Sequence, residues 1–156
     1  MVCDKLKKAL EAAGAKYEVI PHGEAFTALE VAERTHVKGN MVVKVVMVKS
    51  DKGFVMAALP ADRRVDIAAL REALGLKMAA LASEAEFRRL FPDCEPGAMP
   101  PFGSLYGIPV YVDSSLALDD EIVFQAGNHY EVVKMSYADY ERVAAPTVLS
   151  LSKKAA

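Results

Sequence analysis

Cysteine is scarce in this sequence: Cys3 and Cys94 are the only two. They supply no disulfide framework and no linear metal-ligand spacing, so a reduced, cytoplasmic setting and no bound metal are expected. Histidine is almost as rare. His22, His36 and His129 are the full set, and their spacing is not that of zinc ligands. No apolar run is long enough to span a bilayer, and the opening Met-Val-Cys-Asp-Lys-Leu-Lys-Lys has no apolar signal core. A membrane partner is therefore not expected. Net charge is nearly absent as well, at −2 over 156 residues, which removes the broad cationic field of many DNA-binding proteins. Basic pairs remain at Lys7-Lys8, Arg63-Arg64, Arg88-Arg89 and Lys153-Lys154. Each reads first as a solvated face, although a binder of one nucleic-acid end needs no large stripe. Phosphate-cradling glycine loops and a nucleophile elbow are also missing, so neither nucleotide-cofactor chemistry nor serine-type catalysis is indicated.

What is present is organised around Met41-Val-Val-Lys-Val-Val-Met-Val-Lys49. β-Branched valines favour extended backbone, and alternate residues share a face. Both faces are mostly apolar, which predicts a central strand covered on both sides. Lys44 interrupts that pattern on the face of Val42, Val46 and Val48. One reading is a stem lying on apolar surface with its head reaching water. The other is a functional ammonium, because a cation in such a setting needs a partner or a purpose.

The chain is long enough for one domain, 1–156, and shows neither internal repeat nor dividing linker. Helices are predicted over 3–13, 27–34, 66–74, 83–90 and 136–143. Thr27-Ala-Leu-Glu30 and Ser83-Glu-Ala-Glu86 fit capping boxes, and Gly14 and Gly75 act as stops. Strands are predicted near 17–21, 41–49, 54–59, 108–112, 121–125 and 130–135, with hairpins at 51–53 and 126–129. The tail from Thr147 is expected to be loosely held. Short helices alternating with partly hairpin-joined strands indicate a mixed α+β sheet with helices outside.

Two loops stand out besides Lys44. In Gly97-Ala-Met-Pro-Pro-Phe-Gly103 the prolines fix φ while the glycines permit sharp bends. The loop is either a stiff connector or a platform presenting the amides of Gly97 and Ala98 to a carbonyl or oxyanion. Gln125-Ala-Gly-Asn-His129 is a polar turn after a strand, and His129 there is either a capping residue or part of a site.

Together these segments resemble the YbaK/ProX-type aminoacyl-tRNA editing domains, also found inserted in bacterial prolyl-tRNA synthetases. The resemblance rests on Thr27-Ala-Leu-Glu-Val-Ala32, Lys44, the run Leu59-Pro-Ala-Asp-Arg-Arg-Val-Asp66, the Gly-x-x-x-Pro of Gly97 to Pro101, and Phe124-Gln-Ala-Gly-Asn128. It covers essentially the whole chain. It implies a strongly curved, partly barrel-like mixed sheet surrounded by short helices. It also implies hydrolysis of the ester linking a wrong amino acid to tRNA, without a cofactor. Lys44, Gly97 and Pro101 take the catalytic positions in that comparison. Thr27, Ala98, Met99, Gly127, Asn128 and His129 line the substrate pocket. The implied partner is the acceptor end of a misacylated tRNA, with a synthetase as a further partner. The competing reading is a non-catalytic tRNA- or synthetase-binding module of the same fold. A Schiff-base role for Lys44 has no phosphate cradle to accompany it.

Overall fold

The computed structural model describes residues 2–23, 25, 28–35 and 37–154. Thr27, with the first half of its capping box, and His36 lie outside the described residues. The chain opens with helix α1 (Asp4–Ala12), strand β1 (Tyr17–Pro21) and helix α2 (Ala28–Thr35). A hairpin follows, β2 (Val43–Ser50) and β3 (Gly53–Pro60), turning at Asp51-Lys52. Next come β4 (Arg63–Val65), α3 (Ile67–Leu74), β5 (Ala79–Leu81) and α4 (Glu84–Phe87). After the proline-rich loop the chain forms β6 (Val110–Asp113), β7 (Glu121–Gln125), β8 (Glu131–Ser136) and α5 (Tyr137–Ala144). It closes with β9 (Thr147–Leu149) and β10 (Ser152–Lys154).

Local chemistry explains the helix ends. Asp66 accepts from the Ala69 amide and starts α3, while Gly75 at φ 63° stops it in the left-handed region. The Ser83–Glu86 capping box forms in full, but only one turn of α-helix follows before a 3-10 turn over Arg88–Leu90. Ser136 caps α5 through the Asp139 amide.

The main sheet runs β5-β2-β3-β6-β9 and mixes antiparallel hairpins with parallel β3–β6 and β6–β9 pairs. A second sheet, β1-β8-β7, is antiparallel. A parallel bridge between Val42 and Val123 joins the two, and the Val123 amide donates to Met41 O at 3.0 Å. No described ladder closes this surface into a barrel.

β2 is covered on both faces, as its valines require. Val43 joins a core with Leu6, Leu10, Phe102, Phe124 and Tyr140, in which the Phe102 ring lies 5.4 Å from Phe124 and 5.2 Å from Tyr140. Val45 and Met47 join Met56, Phe91 and Met99. On the other face Val46 and Val48 pack with Leu59, Leu70 and Leu151, and Val42 with Ala25 and Val31. The strand predicted from residue 108 begins only at Val110, because the Ile108 amide is turned back to Gly103 O at 2.9 Å.

The loosely held tail is corrected by the structure. β9 pairs with β6 in parallel, and β10 pairs antiparallel with β4. Leu151 is fully buried, and the buried Asp113 carboxylate takes the Leu151 and Ser152 amides at 2.9 and 3.0 Å. Burying a leucine contributes about 2 kcal/mol, and each amide bonded to a carboxylate adds about 1.5 kcal/mol or more. Those terms offset part of the ordering cost of about 1–2 kcal/mol per residue, and the β6–β9 and β4–β10 ladders add to them.

Candidate functional site

Three chain segments meet beyond the C-terminal end of β7. The first is the loop after Glu95. Pro96 and Gly97 occupy the centre of a tight turn, with Gly97 at φ 84° and the Ala98 amide donating to Glu95 O at 3.0 Å. Proline before a positive-φ glycine is the requirement of a type II turn. Ala98, Met99, Pro100 and Pro101 are then buried. The second segment is the β7–β8 turn. Its Gly127 amide donates to Ala98 O at 2.8 Å, and Gly127 O accepts from the Glu95 amide at 2.8 Å. The proline-rich loop and the Gly-Asn-His turn are therefore cross-linked by backbone. The third is Ala25, whose amide donates to His129 O at 3.0 Å.

Side chains complete this junction. Nε2 of His129 lies 2.8 Å from Pro96 O, and a carbonyl only accepts, so this nitrogen carries the proton. Nδ1 is left as the acceptor, and Gln125 Nε2 stands 3.3 Å from it. The same Gln125 amide donates to Ala25 O at 3.0 Å. The Glu95 carboxylate is 3.9 Å from His129 Nε2. Asn128 holds the turn: its Oδ1 accepts from the Tyr130 and Glu131 amides at 2.8 and 3.0 Å, and its Nδ2 donates to Glu131 at 3.1 Å.

Lys44 is held by a different part of the chain. Its ammonium donates to the Arg63 carbonyl oxygen. Burial holds it below the ordinary lysine range, and the Asp62 carboxylate opposes that shift. Val42 bridges Val123 in parallel, and no described ladder continues that bridge along the two strands. Lys44 turns toward Arg63, and Gln125 toward Ala25 and His129. Met99 points to the opposite face of β2, into the cluster with Val45 and Met47. Of the sequence-predicted residues, the fold brings Gly97, Ala98, Gly127, Asn128 and His129 together, while the Lys44 ammonium is held at Arg63. Met99 and Pro101 are buried. The structure adds Gln125 beside His129 and Asp62 beside Lys44, neither of which the sequence singles out.

Beside Arg63 lies an open cleft of about 500 Å³, lined by Asn40, Asp62, Arg63, Asp119 and Lys154 among others. Burial raises the Asp119 carboxyl, with Asp120 and Asp62 adding to the effect. The β4–β10 ladder sets Arg63 opposite Lys154 and Arg64 opposite Lys153, so two basic pairs distant in sequence become one ribbon. Arg63 is held by Ser152 at 2.6 Å, while Arg64, Lys153 and Lys154 are exposed.

On the other side of the Gly127 turn sits a cluster the linear spacing gave no sign of: Cys3, Asp93, Cys94 and Tyr106. A hydrogen bond from Cys94 holds the Cys3 thiol down at about 7, and the same bond pushes Cys94 up. Burial, with its bonds to Cys94 and Asp93, pushes Tyr106 up.

Comparison with known proteins bears on the family and the fold. The "Multifunctional Ser/Thr-tRNA deacylase ProXp-y" of Escherichia coli K12 is 36% identical over 102 residues, which is 65% of this chain and 60% of that protein. The aligned part therefore spans less than two thirds of the relative's length. A crystal structure of hypothetical protein APE2540 superposes with a TM-score of 0.86 at 21% identity, covering 96% of this chain and all of the other. Another, of a candidate trans-editing enzyme for prolyl tRNA synthetase, gives 0.81 at 22% identity over 96% of this chain and 95% of that one. These likenesses establish a shared mixed α+β fold. Residues 22–143 match the aminoacyl-tRNA editing domain, and the chain belongs to that family.

Proposed function

We propose that this protein is a free-standing, trans-acting deacylase that hydrolyses the ester of misacylated tRNA in the cytoplasm. The observation that carries the reading is the junction of Gly97, Gln125 and His129, in a chain of the editing family, and Lys44 joins the site through the family resemblance. An aminoacyl ester is already activated, and the neighbouring hydroxyl of the terminal ribose helps place water. Such a reaction requires positioning and charge stabilisation rather than an enzyme nucleophile.

Each group then has a role. Lys44 donates to Arg63 with one of three ammonium hydrogens, and the others anchor a substrate phosphate or ester oxygen. The Ala98 amide is spent on Glu95, so polarising the carbonyl falls to Gly97. His129 and Gln125 form the wall against the amino-acid side chain, and the family resemblance adds Thr27 to it. Pro101 and Met99 keep the loop rigid. The two joined sheets curve around the acceptor end as an open barrel wall. Phosphates of the acceptor strand run toward Lys154 and the β4–β10 ribbon.

A panel of mischarged tRNAs, followed for loss of ester, tests the assignment. The named activity of the E. coli relative makes seryl- and threonyl-tRNA the first substrates to try. Lys44→Ala is expected to fold and to lose deacylation; full activity in that variant would sink the role given to Lys44. Binding without turnover on every tRNA would instead make the domain a recruitment module for tRNA or a synthetase.

A further inference from the structure

We propose that Cys3, Asp93 and Cys94 form a binding site for one thiophilic divalent metal ion of the zinc class. The three donor atoms lie within 4.8 Å of one another. Around a tetrahedral ion with metal–sulfur bonds of about 2.3 Å and metal–oxygen bonds of about 2.0 Å, neighbouring donors stand roughly 3.3–3.8 Å apart. Cys94 Sγ and Asp93 Oδ1 are 3.7 Å apart, already at that spacing. The Tyr106 hydroxyl faces the same point, 3.8 Å from Cys3 Sγ and 3.5 Å from Cys94 Sγ, and donates to Asp93 Oδ1 at 2.8 Å. It orients the carboxylate, as hydrogen-bond partners of metal ligands do. Lys5 Nζ, 4.8 Å over the Tyr106 ring, offsets the negative charge of two thiolates and a carboxylate.

The backbone that carries these donors is fixed. The Cys3 amide donates to Ala126 O at 2.9 Å, Cys94 N to Phe91 O at 3.1 Å, and Glu95 N to Gly127 O at 2.8 Å. A disulfide would need the sulfurs at about 2.05 Å. A phenol held against both sulfurs and the carboxylate suits an ion that spans several donors better than a bond between two. The ion fastens the start of α1 to the 93–106 loop and, through Cys3 against Gly127, to the turn that carries His129. The site is independent of the deacylase reading, because its ligands lie outside the junction assigned to substrate.

Metal-free, thiol-reduced protein titrated with cobalt(II) tests this directly. One equivalent should bind with a sulfur-to-cobalt charge-transfer band and the intense visible bands of a tetrahedral ion. Zinc(II) should displace it and excess magnesium should not. Cys3→Ser and Cys94→Ser should each diminish the charge-transfer band, and the double variant should abolish it. Tyr106→Phe should keep the spectrum and weaken binding about tenfold. The wild-type spectrum is decisive without any variant. Weak octahedral bands lacking charge transfer would overturn the site. So would binding that survives loss of both cysteines, or a pair that mild peroxide converts to a disulfide while no metal binds.

Discussion

His129 donates its Nε2 proton to the carbonyl oxygen of Pro96 across 2.8 Å, which ties the β7–β8 turn to the loop that carries Gly97. That bond selects one neutral tautomer, and Gln125 completes it by facing Nδ1. The pair is buried and fixed in direction, which fits the wall role proposed for it.

Gln125→Leu should therefore act on the site through His129. It removes the group facing Nδ1 and leaves Ala25 O without that donor. Freed to turn, the imidazole no longer fixes the loop, and misplacement by about 1 Å costs on the order of 100-fold in rate. Single-turnover deacylation should fall by 10- to 100-fold while the melting transition stays cooperative. His129→Ala should cost about 2 kcal/mol of stability besides, through an unpaired Pro96 carbonyl and a cavity. A Gln125→Leu protein with wild-type rates would remove both residues from the site.

Lys44 and Asp62 make a pH prediction with a definite sign. Burial disfavours the ammonium, and the Asp62 charge favours it. Asp62→Asn takes away the favouring charge, so the lysine deprotonates at lower pH than in the wild type. If the charged form anchors substrate, the alkaline fall of the pH–rate profile should shift to lower pH in Asp62→Asn. The acid side should not move in step. An unshifted alkaline limb would mean that Lys44 does not act through its charge.

Much of this arrangement was legible in the chain and some was not, for physical reasons. Capping chemistry marked Ser83, and Gly75 marked a helix end, because those signals are local. The β-branched run marked β2, and Lys44 stood out because a charge on an apolar strand face is locally inconsistent. The tail did not read as structure, since β9 and β10 are three-residue strands whose stability comes from Asp113, Leu151 and partners far away in sequence. The union of Cys3 with Cys94, or of Arg64 with Lys153, depends on tertiary placement that no spacing rule contains. Resemblance supplied the grouping of Gly97 with His129, which periodicity alone did not.

Asp113 gives a stability prediction. Burial pushes its carboxyl up, but bonds from Ser115, the Leu151 amide and Ser152 outweigh that and hold it below the ordinary aspartate value. A depressed folded-state value contributes stability that is present above the unfolded pKa of about 3.9 and is lost as pH falls through the folded value. Asp113→Ala should destabilise the protein by about 3 kcal/mol at neutral pH and release β9 and β10 to hydrogen exchange. The wild-type advantage over Asp113→Ala should shrink as the pH is lowered below about 4. Equal denaturant midpoints for the two proteins at neutral pH would refute the clamp.

Gly127 offers the sharpest test of how closely the turn is built. Its φ of 107° disfavours any side chain, and an added Cβ would sit 2.9 Å from Cys3 Cβ. Cys3 cannot simply step aside, because its amide is bonded to Ala126 O and it begins α1. Gly127→Ala must therefore displace either the helix start or the turn. Backbone strain of this kind costs of order 1–3 kcal/mol, and the contact adds to it. If the turn moves, the Gly127–Ala98 and Gly127–Glu95 bonds lengthen and the Gly97 platform shifts with them. Deacylation should then fall more than stability alone explains, measured below the melting transition where the variant is folded. If the helix moves instead, rates should hold while the amides of α1 lose protection from exchange. A variant with unchanged rates, stability and exchange would show that the turn and α1 are not packed as described.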